Sequence, residues 1–407
     1  MACEAKKYHP LNSIIISQCG AFHAWPAAQA AFRQGWLQQF VTTRPVRDCV
    51  PRDKIRDLAY LEFPLRILRY LNGRLLHSDR LDQIQKKGVG SVKKFFDGIA
   101  AAEINRRTRI FHLFSVFQEN AVRRCEEYGV KKVMDYGTAH SRFFREILMR
   151  EAESLGIKLC ISGDQEKDND DEMARMDALC IPSRFVERSF RESGYLLNNL
   201  VWNGYGVDTD FFRPAKNAVP GRKSFRIMTA GMLGIRKGTL YLLQAVERLA
   251  RSGMKVELYL MGNPDAEFYN RVMKEYAGCI THMGTVDHRD LPGYYSSADV
   301  FVLPSLVEGQ ARAVLEAMAC GTPCIVTPNT GHEETIRDGI NGFLVPIRDS
   351  RAIEDRISIL IRETDRRIEM GRQARLTAEQ HTWAHYQARL MSIYDGFLKT
   401  AEPRSKG

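Results

Sequence analysis

Residues 299–346 read DVFVLPSLVEGQARAVLEAMACGTPCIVTPNTGHEETIRDGINGFLVP. The short apolar run Val300 to Leu303 predicts a buried strand, and Pro304-Ser305 ends it. Glu308-Gly309 follows, then a helical pattern from about Gln310 to Ala319, closed by Gly321-Thr322-Pro323. A second apolar run, Cys324 to Val326, predicts the next strand. Strand, helix and strand in this order form a βαβ unit, which predicts an α/β fold on a parallel sheet.

The chemistry of the stretch sits at its first strand-to-helix turn. Glu308 lies just past the strand's carboxyl end, where open α/β sheets bind ligands. Gly309 allows close approach of the backbone to a ligand. The N–H groups of Gln310, Ala311 and Arg312, at the start of a helix, suit an anion such as a diphosphate. Glu316 follows Glu308 by eight residues, roughly 12 Å along a helix axis. A nucleotide-sugar sets sugar, diphosphate and ribose in a row over a similar length. One carboxylate would then hold sugar hydroxyls and the other the ribose hydroxyls. Spacing alone fits equally well a helix with a surface glutamate near each end.

The words around the two glutamates resemble a known pattern. Pro304, Ser305, Glu308, Gly309, Glu316, Ala317, Met318, Ala319, Gly321 and Pro323 stand where P-S-x-x-E-G-x-x-x-x-x-x-E-A-M-A-x-G-x-P requires them. This is the signature of the retaining glycosyltransferases of group 1, the family 4 type. The resemblance implies the GT-B fold: two Rossmann-like domains facing across a cleft, with a carboxyl-terminal helix crossing back to the first. Gln310-Ala311-Arg312 departs from the aromatic, Gly or Pro, and Leu common at these places.

Bulk properties agree with a folded two-domain protein. At 407 residues, with 44% apolar and 27% charged residues, the chain can bury two cores. Nine cysteines, scattered with no C-x-x-C, argue against a disulfide framework or structural zinc and for a reducing compartment. The longest early apolar run, Ile14 to Ile16, is too short for a signal peptide or membrane span, so a cytosolic or membrane-surface location is expected. Net charge is +10, and residues 44–125 hold 18 Lys/Arg against 9 Asp/Glu. A solvated basic face and a surface for anionic lipid or a phosphate-bearing acceptor both fit this excess. No aromatic-basic motif of a nucleic-acid-binding module is present.

Along the first half, Leu11 to Ser17 predicts a strand that runs into Gly20 and His23, with a helix expected from Pro26 to Phe40. A lone glycine is not a dinucleotide fingerprint; the resemblance puts Gly20 near the donor phosphates. His23 reads as an ordinary loop residue. Strands are expected at Arg109–Phe114 and Lys132–Asp135, with a helix at Gln118–Tyr128 between them. Residues 44–108 show helical patterns and no recognisable site; the resemblance makes this the acceptor-binding half. Tyr136-Gly137-Thr138-Ala139-His140 is similar to the family's D-x-G-S/T-x-H region when Asp135 is included, which implies that His140 contacts the transferred sugar. Trp202-Asn203-Gly204-Tyr205-Gly206-Val207-Asp208 resembles the family's inter-domain hinge, and residues 214–224 fit a linker.

The second half opens with a strand, Arg226 to Ala230, then Gly231-Met232-Leu233-Gly234-Ile235-Arg236-Lys237-Gly238 and a helix from Thr239 to Arg251. Two adjacent cations at a glycine-bounded turn suit phosphate, or are simply solvated on a loop. The resemblance assigns Arg236 and Lys237 to the donor diphosphate and places the turn holding Thr285 and Val286 beside the nucleobase. The expected domains are residues 1–208, joined by a helix over 383–400, and residues 222–382.

The leading expectation is a hexosyltransferase that moves a sugar from a nucleoside-diphosphate sugar to a hydroxyl acceptor, glycan, lipid-linked or small molecule, in polysaccharide or glycoconjugate synthesis. Glu308 and His140 would act on the sugar, Glu316 on the ribose, and Arg236, Lys237, Gly309, Gln310, Ala311 and Gly20 on the diphosphate. The resemblance implies no metal and no cofactor. A non-catalytic or epimerase-like nucleotide-sugar-binding protein is the alternative.

Overall fold

The computed structural model describes residues 11–19, 23–44, 48–64, 79–114, 118–159, 166–195, 198–215 and 224–400. Gly20 and most of the expected linker lie outside them. Two parallel sheets organise the chain. The first contains β1 (Ile14–Gln18), β2 (Leu37–Thr42), β3 (Ile55–Asp57), β4 (Ile110–Leu113), β5 (Lys131–Asp135), β6 (Ala178–Ile181) and β7 (Leu200–Trp202). Their order is β3-β2-β1-β4-β5-β6-β7. The second contains β8 (Phe225–Ala230), β9 (Val256–Met261), β10 (Ile280–Gly284), β11 (Val300–Leu303), β12 (Cys324–Val326) and β13 (Gly342–Leu344), in the order β10-β9-β8-β11-β12-β13. Both sheets are covered by helices, so β1, β4, β6, β11 and β12 are buried at every position and mostly apolar.

In each sheet the strand order reverses once, between β1 and β4 and between β8 and β11. At such a reversal the crossovers leave in opposite directions and open a crevice at the strands' carboxyl ends. The loops after β8 and β11 therefore lie side by side, which brings residues 231–238 next to residues 304–311. The loops after β5, β6 and β7 meet this second crevice from the other domain. Ser183 Oγ donates to the Gly309 carbonyl at 2.7 Å, and the Tyr205 N–H donates to Gln310 Oε1 at 2.6 Å. Farther out, Arg188 forks onto Glu333 at 2.9 and 3.0 Å, and Glu151 accepts from Tyr241 and Arg348.

The last helix, Trp383–Thr400, packs on the first domain. Tyr386, Leu390, Tyr394 and Leu398 join the core made by Ile14, Ile16, Ala27, Ala31 and Phe40. Tyr386 donates to Asp135 Oδ2 at 2.8 Å, and Tyr394 pairs with His112. Burial pushes the His112 imidazole down to about 4, so it stays neutral there.

Several expected boundaries move. The helix expected over 26–40 is Ala24–Arg33, because Gly35 turns with a φ of +70° and the chain re-enters the sheet as β2. The helix at Gln310 begins only at Arg312. Leu58-Leu61 contributes to a single 3-10 turn, Ala59–Glu62, and Leu65-Leu68 lies outside the described residues. Residues Asp79–Glu103 form a 25-residue helix whose buried Phe96 and Ala100, with Ile104 just after it, pack on β1 and β4 residues Ile15, Phe111 and Leu113.

Gly238 ties the two loops of the second crevice together. Its φ is +61°, and a Cβ there would stand 2.0 Å from the Pro304 carbonyl oxygen. Gly238→Ala is expected to destabilise the protein by about 2 kcal/mol through backbone strain and clash. Denaturant unfolding against the parent measures this.

Candidate active site

The loop after β11 is held from below before it reaches any ligand. The Glu308 N–H donates to the Asn329 carbonyl at 3.0 Å, and Asn329 Nδ2 donates to the Leu306 carbonyl at 2.8 Å. His332 is fully buried, and burial pushes its imidazole down to about 4. The neutral ring donates through Nε2 to the Ala311 carbonyl at 2.8 Å, so it pins the residue that precedes the helix Arg312–Ala319.

On this frame Glu308 meets both cations of the loop after β8. Arg236 Nη1 lies 2.8 Å from Glu308 Oε2, and Lys237 Nζ lies 2.8 Å from Oε1. Glu308 is only 8% exposed and Lys237 only 9%, so the pairs are shielded from water and strengthened by it. Gly231 makes the lysine's path possible: a Cβ at Gly231 would approach Lys237 Cε to 2.9 Å. Residues expected at different parts of one ligand thus pair with one another.

The cleft around them has a volume of about 600 Å³. Arg236, Lys237, Glu308, Gln310, Ala311, Glu316, Thr285 and Val286 all line it. Glu316 stands in the second turn of the helix Arg312–Ala319 and accepts from the Tyr295 hydroxyl at 3.1 Å. Burial, with Glu316 adding to it, pushes the Tyr295 phenol well up, so it remains a donor. Thr285 Oγ1 accepts from Asn263 at 3.2 Å.

Three expected details change. Gly309 does not line the cleft as bare backbone. The space a Cβ would take is filled by the Gly137 carbonyl, 2.0 Å away, so this glycine lets the two domains touch. The Ala311 N–H is not available to an anion, because it donates to the Thr330 carbonyl at 3.0 Å. The amides at the uncapped start of the helix, Arg312 and Ala313, remain the ones directed to an anion. Gln310 is not a loose substitution either: its side chain takes the Tyr205 N–H and couples the loop to the hinge.

His140 is placed away from the cleft. It is fully buried and caps the helix Ser141–Ser154, its Nδ1 accepting from the Arg142 N–H at 3.3 Å. Its Nε2 faces Asp170 at 2.9 Å, and Tyr195 stacks on the ring. Both ring nitrogens are engaged inside the domain, which corrects the expected contact with a sugar.

Two residues that the sequence left as loop or departure line the cleft instead. Arg312 lies in the first turn of the helix; a cation at a helix start beside an anion site was the signal for it. His23 reaches the cleft from the loop after β1, and no local pattern marks it.

Residues 224–363 match the family model described as Glycosyl transferases group 1. The putative glycosyltransferase EpsD of Bacillus subtilis is 30% identical over 206 residues, 48% of this chain and 54% of that protein. An Escherichia coli UDP-Gal:alpha-D-GlcNAc-diphosphoundecaprenol alpha-1,3-galactosyltransferase is 31% identical over 178 residues, 40% of this chain and 44% of that one. The chain thus spans about half the length of the curated relatives it matches. The sucrose-phosphate synthase structure from Thermosynechococcus elongatus superposes with a TM-score of 0.68 at 18% identity, over 96% of this chain and 100% of that one. Its likeness is one of fold and extends over both sheets: the two facing Rossmann-like domains of GT-B.

Because Glu308 neutralises the two cations, an incoming anion competes with it. Glu308→Gln is expected to bind inorganic pyrophosphate more tightly than the parent, on the order of tenfold. Calorimetric titration of both proteins checks this; equal affinities would mean that the carboxylate does not guard the site.

Proposed function

We propose, for a chain whose carboxyl-terminal domain belongs to the group 1 glycosyltransferases, that it transfers a sugar from a nucleoside-diphosphate sugar to a hydroxyl acceptor with retention of the α configuration. The observation that carries this reading is the convergence of Arg236 and Lys237 on Glu308 in the loop ahead of a helix whose second turn presents Glu316 to the same cleft.

In the reaction the bond between the anomeric carbon and the diphosphate oxygen breaks, and its electron pair stays on the diphosphate. Arg236, Lys237 and the amides of Arg312 and Ala313 neutralise that charge, which grows toward the transition state. Charge neutralisation by these groups needs no metal. As the diphosphate takes the two cations, Glu308 is released to the hydroxyls of the sugar. Glu316 holds the ribose, and Thr285 and Val286 border the base. A uridine donor is the first to try, since the Escherichia coli relative is named for UDP-Gal.

The same relative's name specifies a sugar on a lipid diphosphate. The basic excess of residues 44–125 supports an acceptor presented at an anionic membrane surface, in polysaccharide or glycoconjugate synthesis. Among the described residues no helix is long and apolar enough to cross a membrane. Attraction of roughly 1 kcal/mol per well-placed cation is enough for peripheral binding. Vesicles containing phosphatidylglycerol are expected to sediment the protein at low salt and release it at high salt; no sedimentation at low salt would leave the excess as a solvated face.

The test of the site separates its parts. Arg236→Ala and Lys237→Ala are expected to weaken UDP binding and slow turnover together. Glu316→Ala should mainly raise KM, because ribose contacts are alike in ground and transition states. Glu308→Gln should lower kcat on the order of 10²-fold without weakening binding of UDP alone. Parallel loss of UDP affinity and turnover in Glu308→Gln would make it a residue of the loop rather than of the chemistry.

A further inference from the structure

Among the described residues, the lysine and arginine side chains lining the donor cleft are Arg236, Lys237 and Arg312. The first two are taken up by Glu308. Arg312 opens the helix Arg312–Ala319, and among the described residues its guanidinium forms no ion pair. Glu316 follows it by four residues, so the two side chains rise from one face of the helix, one turn apart. Opposite charges in this relation ordinarily pair. Here Glu316 turns instead to Tyr295, whose hydroxyl donates to Oε2 at 3.1 Å.

Tyr295 is fixed relative to that helix. It is buried, its ring meets those of Phe212 and Phe301 edge-on at 6.1 and 5.6 Å, and its carbonyl accepts from Thr322 Oγ1 at 2.7 Å. Arg375 fastens the block from behind. Its Nη1 donates to the Phe212 carbonyl at 2.8 Å and to the carbonyl of Ala319, the last residue of the helix, at 2.7 Å. The phenol therefore has a set place beside Glu316, and the carboxylate is drawn toward it and away from Arg312.

We propose that Arg312 is a third diphosphate-binding cation of the donor site, and that Tyr295 is the positioning residue that keeps Glu316 from capturing it. This rests on the glycosyl-transfer reading. Both phosphates of the donor are negative, and cleavage of the bond to the sugar adds a further charge. Arg236 and Lys237 share the cleft with the Glu308 carboxylate, so a third cation at the positive end of the helix offsets what is added. A guanidinium forks onto phosphate oxygens only while no carboxylate holds it. The Tyr295 hydroxyl leaves one oxygen of Glu316 for the ribose and leaves Arg312 for the phosphates. Without that hydroxyl the two charges close on each other, and both contacts weaken together.

The experiment is calorimetry on the full chain with pyrophosphate, UDP and 2′,3′-dideoxy-UDP. The parent is expected to prefer UDP to the dideoxy compound on the order of tenfold, through the ribose hydroxyls on Glu316. Arg312→Leu, which places the leucine common in the group 1 pattern, should weaken pyrophosphate on the order of tenfold and leave the ribose preference unchanged. Tyr295→Phe, which removes one hydroxyl and no buried volume, should weaken pyrophosphate comparably and cut the ribose preference to about threefold or less. The double variant decides between positioning and general damage. Its pyrophosphate affinity should be no weaker than that of Arg312→Leu, and its ribose preference should return toward the parent's, because the competing cation is gone. Unchanged pyrophosphate affinity in Arg312→Leu would overturn the third cation. An unaltered Tyr295→Phe, or a double variant whose losses add, would overturn the role of Tyr295. A parent that binds pyrophosphate but does not prefer UDP to its dideoxy form would remove Glu316 from the ribose, and a parent that binds none of the three would remove the transfer reading, each taking this inference with it.

Discussion

A buried carboxylate between two cations is the constraint on which the second domain depends. Glu308 leaves water, and so do most of Lys237 and part of Arg236. None of these charges is tolerable there alone, because each uncompensated buried ion costs several kcal/mol. The loops after β8 and β11 are therefore bound to each other electrostatically as well as by the backbone contact of Gly238 with Pro304. The strand reversal between β8 and β11 makes the meeting possible, and the charges set its geometry. The same three groups are what a diphosphate would disturb, so the interaction that joins the two loops is also the one a ligand would exchange.

The two domains meet through this site rather than around it. Gly309 rests on Gly137, Gln310 takes the Tyr205 N–H, and Ser183 reaches the Gly309 carbonyl. Each contact joins the donor loop to a loop at the carboxyl edge of the first sheet. The last helix completes the arrangement from behind, since Tyr386 fixes Asp135 and Asp135 faces His23. The conformation of the donor loop and the position of the first domain's polar groups are thus one mechanical problem.

Much of the second domain was legible in the sequence. Val256–Met261, Val300–Leu303, Cys324–Val326 and the helix Thr239–Arg251 have the expected bounds, because these segments end abruptly at Gly, Pro, Thr or Ser. The first domain was harder. Gly35 alone separates a helix from β2, and β3 is a half-buried edge strand with polar residues, so neither interrupts or makes a clear periodicity. Glu308, Glu316, Arg236 and Lys237 were readable as one cleft because each belongs to a local motif. His140 was misplaced because the same motif does not say that Asp170, thirty residues on, would bury it. His23 lies in the loop after β1 and Asp135 ends β5, and only the parallel register of β1, β4 and β5 brings them together. Gln310 looked like a departure until the hinge amide it accepts was in view.

The proposed transfer puts the leaving diphosphate and the incoming hydroxyl on one face of the donor. The most direct measurement is the anomeric configuration of the first product formed from an α-linked UDP-sugar, followed by proton NMR before mutarotation or further reaction. An α product, formed at a rate that falls when Arg236 or Lys237 is replaced, is the predicted result. A β product would contradict the shared face, and the absence of any product with all nucleoside-diphosphate sugars would contradict transfer.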